Sequence, residues 1–106
     1  MTNNANRLEY MVLQAVANDF EELEMIISEI GKWTSANDPS PDADQIERAL
    51  MEAIADENVK AYEPREGHHQ LVATQAEPQK MHALWFYITA QGTDRMQKLE
   101  GEAERA

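Results

Sequence analysis

The chain is expected to fold as one α+β domain: a three-helix bundle, a two- or three-stranded antiparallel wing-like hairpin and a short C-terminal helix. Three observations predict this. Apolar residues recur at helical spacing between Leu8 and Ile54, and the period changes to alternation at Val59. A dense branched and aromatic run, Leu84-Trp85-Phe86-Tyr87-Ile88-Thr89, then leads into Gln91-Gly92. With 106 residues and 42% apolar content, the chain has material for one core. Residues 1–6 read as a disordered leader, 7–100 as the domain and 101–106 as a frayed end.

Each element follows from local chemistry. Asn6 and Glu9 have the spacing of a capping box, and Leu8, Met11, Val12, Ala15 and Val16 form the apolar stripe of a first helix. Tyr10 and Leu13 lie off that stripe. Asn18-Asp19 interrupts the pattern, and Asp19 with Glu22 repeats the capping signal. Phe20, Leu23, Ile26, Ile27 and Ile30 line a second helix that Gly31 is expected to stop in a left-handed turn. Lys32 to Pro39 is a polar loop with Trp33 as its anchor. Ser40-Pro41 opens a third helix, serine as cap and proline where its missing N–H is harmless. Ile46, Ala49, Leu50, Ala53 and Ile54 form its buried stripe, and Asn58 suits its left-handed end.

Val59 to Glu63 alternates as a strand. Pro64 to Pro78 is irregular apart from a short extended stretch, Leu71-Val72-Ala73. In the run from Leu84 to Thr89, Leu84, Phe86 and Ile88 share one face, which places Trp85, Tyr87 and Thr89 on the other. Met96 and Leu99 mark a short closing helix.

Two segments carry a resemblance. Ile46 to Tyr62 is similar to a recognition helix running into a first wing strand, and Leu84 to Gly92 is similar to the hydrophobic-Thr-x-x-Gly junction between a last wing strand and a closing helix. Together they resemble a winged helix-turn-helix domain of the multiple-antibiotic-resistance-repressor and phenolic-acid-repressor kinds of bacterial transcription regulator. The likeness spans roughly Leu8 to Leu99 and rests on residue class. It implies DNA reading by the third helix, phosphate contacts from the wing and dimerisation through terminal helices. Fold alone does not carry function.

Charge argues against the DNA-reading half of that implication. The net charge is −11. Asp19 to Lys32 holds five acids and one base, and Asp38 to Asn58 holds seven acids and one base, so these two segments account for −10 of it. An acid and a phosphate ~8 Å apart repel by about 0.5 kcal/mol in water before screening. On the third helix only Arg48 is of the type that reads guanine. The stretch from Gly31 to Pro39 supplies nine residues, more than the ~3–4 of a DNA-reading turn.

Two readings therefore stand. In the favoured one the chain is a non-catalytic module that binds protein or itself through Tyr10, Leu13, Trp85 and Tyr87, with Trp and Tyr as interface anchors. The acidic helices then face a basic partner or keep the domain soluble. In the alternative it is a dimeric DNA-binding regulator gripping phosphates with Lys60, Arg65 and Lys80 and a base with Arg48. Trp85 and Tyr87 also admit a bland explanation, in which the 64–78 segment folds over them.

Other chemistry is weakly signalled. There is no cysteine, which removes disulfides and thiolate sites and suits a reducing compartment. His68, His69 and His82 with Glu66 lack the spacing of a structural metal site, so no metal or other cofactor is expected. The four glycines, at 31, 67, 92 and 101, form no phosphate-binding loop, and no nucleophile–base set emerges, so no enzyme activity is expected. No apolar run reaches the ~20 residues of a membrane span, and a cytoplasmic location without membrane partners is the expectation.

Overall fold

A computed structural model describes the backbone of residues 4–34, 41–64 and 71–105 and the side chains of 6–34, 41–64 and 71–102. The fold is α+β. In chain order it comprises α1 (Asn4–Ala15), β1 (Glu21–Glu22), α2 (Leu23–Trp33), α3 (Ala43–Ala55), β2 (Val59–Pro64) and β3 (Leu71–Thr74). A 3-10 helix (Pro78–Ala83), β4 (Trp85–Ile88) and α4 (Ala90–Arg105) complete it. The strands form one antiparallel sheet in the order β1-β4-β2-β3.

One face of this sheet and the inner faces of the helices enclose the core. Val59, Ala61, Phe86 and Ile88 come from the sheet. Val12, Leu13 and Val16 join them from α1 and its end, Leu23, Ile26 and Ile30 from α2, Ile46 and Leu50 from α3, and Leu99 from α4. Met81 of the 3-10 helix is also fully buried. The backbone N–H of Ile88 donates to the Val16 carbonyl at 3.1 Å, tying the end of α1 to β4.

The helix ends differ from expectation in instructive ways. Helix α1 begins at Asn4, so Asn6 is inside it, and the Glu9 carboxylate bonds Arg95 of α4. Phe20 is not helical. The Asp19 carboxylate accepts from the Phe20 N–H, and Glu21 and Glu22 pair with Phe86 and Trp85 to form a strand before α2 begins. Helical spacing alone cannot distinguish a first turn from a short extended lead-in whose backbone finds a sheet partner. Gly31 does not stop α2, which runs on to Trp33.

Helix α3 is capped by Asp42, not Ser40, which lies outside the described residues. The Asp42 carboxylate accepts from the Gln45 N–H at 2.8 Å, and the Gln45 side chain accepts from the Asp42 N–H at 2.9 Å, a reciprocal box. At the other end the left-handed residue is Glu57 (φ 65°), one place before the expected Asn58. The N–H groups of Glu57 and Asn58 reach back to the carbonyls of Ile54 and Ala53, the Schellman arrangement. Asn58 is thereby freed to be buried and to serve the next junction.

Helix α4 is longer than the expected short closing helix and extends through 101–105. Its entry explains the Thr-x-x-Gly motif. The Thr89 hydroxyl donates to the Glu57 carbonyl at 2.7 Å and accepts from the Gly92 N–H at 2.9 Å. The Thr89 N–H donates to the Asn58 carbonyl at 3.0 Å, and the Gln91 amide donates to the Asp56 carbonyl at 2.7 Å. Gly92 packs against this crossing so tightly that a Cβ there would lie 2.0 Å from the Asn58 carbonyl oxygen. One threonine and one glycine thus fasten the start of α4 to the end of α3.

Candidate functional site

Strand alternation sorts the sheet into two faces. Phe86, Ile88, Val59 and Ala61 turn toward the helices and are buried. Lys60, Tyr62, Trp85 and Tyr87 therefore turn the other way, and the register sets Lys60 opposite Tyr87 and Tyr62 opposite Trp85. Glu22 of β1 lies opposite Trp85. The three aromatic residues are half-buried and Lys60 is exposed.

Phe20 completes this face. Its ring meets Tyr62 edge-on at 5.0 Å between centroids and lies tilted against Tyr87 at 4.9 Å. Aromatic pairs in such arrangements gain about 0.5–1.5 kcal/mol beyond their burial. Phe20, just before β1, thus covers part of Tyr87, and the part of the 64–78 segment at 65–70 lies outside the described residues. Phe20 and Tyr62 are site residues outside the set expected from the sequence. Alternation with buried Ala61 is a signal that marks Tyr62, whereas the spacing of Phe20 matches a helix stripe and hides it.

The remaining candidates are not brought together. Leu13 is 0% exposed in the middle of the core, so it cannot touch a partner and leaves the interface set. It lies off the first stripe because α1 is covered on several sides, by α2, α3 and α4. Tyr10 is half-buried against the core. Arg48 is exposed on α3 and Lys60 on β2. Lys80, on the 3-10 helix, pairs with Glu77 at 3.8 Å. Arg65, with Glu66, His68 and His69, lies outside the described residues, and His82 is exposed. Among the described residues no three acidic or histidine side chains gather as metal ligands, and no helix is long and apolar enough to cross a membrane.

The acids of α3 lie on its open side. Ile46, Leu50 and Ala53 face inward, while Asp42, Asp44, Glu52, Asp56 and Glu57 are exposed and Glu47 is half-buried. On α4 the covered positions are Gly92, Met96 and Leu99, and the exposed ones among the described residues are Ala90, Gln91, Asp94, Gln97, Lys98, Glu100 and Glu102. Among the described residues these exposed positions of α4 form no apolar seam. The α4–α1 contact is instead internal, with Arg95 donating to the two Glu9 carboxylate oxygens at 2.7 and 3.1 Å.

Comparison with family models, curated proteins and solved structures returned no match. The site's own chemistry therefore carries the functional reading.

Proposed function

We propose that the chain is a non-catalytic winged-helix module that acts by binding protein, itself included, through the outer aromatic face of its sheet. The observation that carries this is the gathering of Phe20, Tyr62, Trp85 and Tyr87 on the sheet face opposite Phe86 and Ile88, all four partly exposed, with Tyr87 also packed against the edge of the core. Rigid aromatic groups on a strand scaffold lose little conformational freedom on contact and are favoured interface anchors. The order of helices and strands, with a hairpin between α3 and the last strand and a Thr89-Gly92 junction before α4, supports the winged-helix reading.

A protein partner is favoured over a duplex because the open side of α3 carries carboxylates around its single Arg48. Sedimentation at about 50 μM, well inside the micromolar range of weak protein contacts, is expected to show a dimer that Trp85→Ala weakens. A strictly monomeric chain removes self-association from the proposal.

The second reading is a dimeric DNA-binding regulator gripping phosphates through its wing. Exposed Lys60 on β2 is the observation in its favour. A gel-shift assay with random duplex in about 50 mM salt, where non-specific affinity is greatest, decides it. Absence of a shift at micromolar protein ends that reading.

A further inference from the structure

Two large apolar side chains stay exposed among the described residues, Met25 at 49% and Trp33 at 40%. Both belong to α2, and neither takes part in the aromatic face of the sheet. Met25, Glu29 and Trp33 follow one another at intervals of four, so they share one flank of the helix beside the buried Leu23, Ile26 and Ile30. At 1.5 Å per residue, the two apolar groups are spaced by roughly 12 Å along the helix axis. That is about two turns of a second helix lying alongside.

The setting of this flank is acidic. Asp19, Glu21, Glu22, Glu24 and Glu29 lie on or just before α2, and the one base, Lys32, sits 3.6 Å from Glu29. The Glu21 carboxyl is held above its ordinary range first by burial and then by Asp19, Glu29 and Glu22. The negative charges therefore act on one another across the segment and are not fully neutralised within the chain. An incoming cation would relieve that repulsion.

We infer that this flank of α2 is a docking surface for a basic amphipathic helix of a partner protein. Its apolar side chains would seat on Met25 and Trp33, and its Lys or Arg side chains would face the α2 carboxylates Glu24 and Glu29. An arginine stacked on the Trp33 ring adds a cation–π contact. Sign selects the occupant: a second copy seated here would bring its own acidic α2 segment against this one, and anionic lipid or nucleic acid is repelled in the same way. This surface is separate from the sheet face and stands or falls without it.

The test uses the full chain and a labelled helical peptide of about 14 residues, leucine on one face and lysine on the other, followed by fluorescence anisotropy. A glutamate-for-lysine version of the peptide is the control. The lysine peptide is expected to bind in the micromolar range and to weaken several-fold between about 50 and 500 mM salt. Met25→Lys and Trp33→Ala are each expected to weaken it about tenfold or more, with unchanged circular dichroism, and Trp85→Ala to leave it unaltered. Equal binding of the glutamate peptide, or binding insensitive to both α2 substitutions, overturns the inference. A dimer of the chain alone that Met25→Lys dissolves also overturns it, because the occupant is then a second copy.

Discussion

Replacing Gly92 by alanine tests the joint between α3 and α4 by the sign of its effect. In an unobstructed helix this exchange stabilises, by roughly 0.5–1 kcal/mol, because glycine has more freedom to lose on folding. At position 92 the new methyl group would stand 2.0 Å from the Asn58 carbonyl oxygen, 2.8 Å from Cγ1 of Ile88 and 2.9 Å from the Asn58 carbonyl carbon. Two of these are backbone atoms and cannot swing aside. To restore van der Waals separation, the start of α4 must back away from the α3–β2 corner by an ångström or more, on the order of the overlap itself. The same Asn58 carbonyl accepts from the Thr89 N–H, so the movement also strains that bond.

Overpacking of about 1–3 kcal/mol and loss of one or two hydrogen bonds at about 1 kcal/mol each outweigh the helical gain. The net loss is expected to be about 2–4 kcal/mol, lowering Tm by at least ~8 °C. Gly31 and Gly101 are the controls. Both are helical, and among the described residues, chain neighbours and local helix backbone aside, neither has an atom within 4 Å of the place a methyl group would take. Alanine at either is therefore expected to stabilise by about 0.5–1 kcal/mol. Urea and thermal unfolding followed by circular dichroism measure all three. A Gly92→Ala chain as stable as the parent would refute the joint as described.

Thr89→Val keeps the shape but removes the donor to Glu57 and the acceptor for Gly92, and is expected to cost about 1–2 kcal/mol in urea unfolding. A double-mutant cycle on Glu9 and Arg95 should return a coupling of about 0.5–1 kcal/mol that shrinks with salt, a modest figure because both side chains remain partly exposed. Glu21→Gln is expected to stabilise the chain at pH 7. The folded-state pKa of Glu21 is raised, chiefly by burial and then by Asp19, Glu29 and Glu22, so its contribution is favourable below the ordinary value of 4.5 and is lost as pH rises through the folded value. The advantage of glutamine, read from Tm against pH, should therefore fade as the solution is acidified toward 4.5.

Where residue pattern and structure agree, side-chain burial alone decides the outcome. The third helix, the strand that follows it, the last strand and the split of Trp85 and Tyr87 from Phe86 and Ile88 all follow from which residues avoid water. Where they differ, the deciding partner is distant in sequence. Glu21 and Glu22 become a strand only because β4 offers them a ladder, and their own residue types argue for a helix start. The Glu9 carboxylate is drawn to Arg95, 86 residues away, which donates to both its oxygens. Leu13 looks surplus because helical spacing counts one stripe, whereas α1 meets three other helices. For the site, Trp85 and Tyr87 are legible by alternation and Phe20 is not, since its place depends on β1. Trp33 is legible as an aromatic in a polar stretch, but its 40% exposure is not.

Strand β1 closes one side of the sheet with two glutamates and nothing more. A two-residue border carrying negative charge gives a neighbouring chain almost no ladder to extend and an electrostatic reason to stay away. The carboxylate of Glu21 therefore has opposing effects: it weakens the individual molecule at neutral pH while guarding against lateral growth of the sheet. Neutralising it should yield a chain that melts later and clumps sooner, a divergence that light scattering recorded alongside the thermal melt would expose.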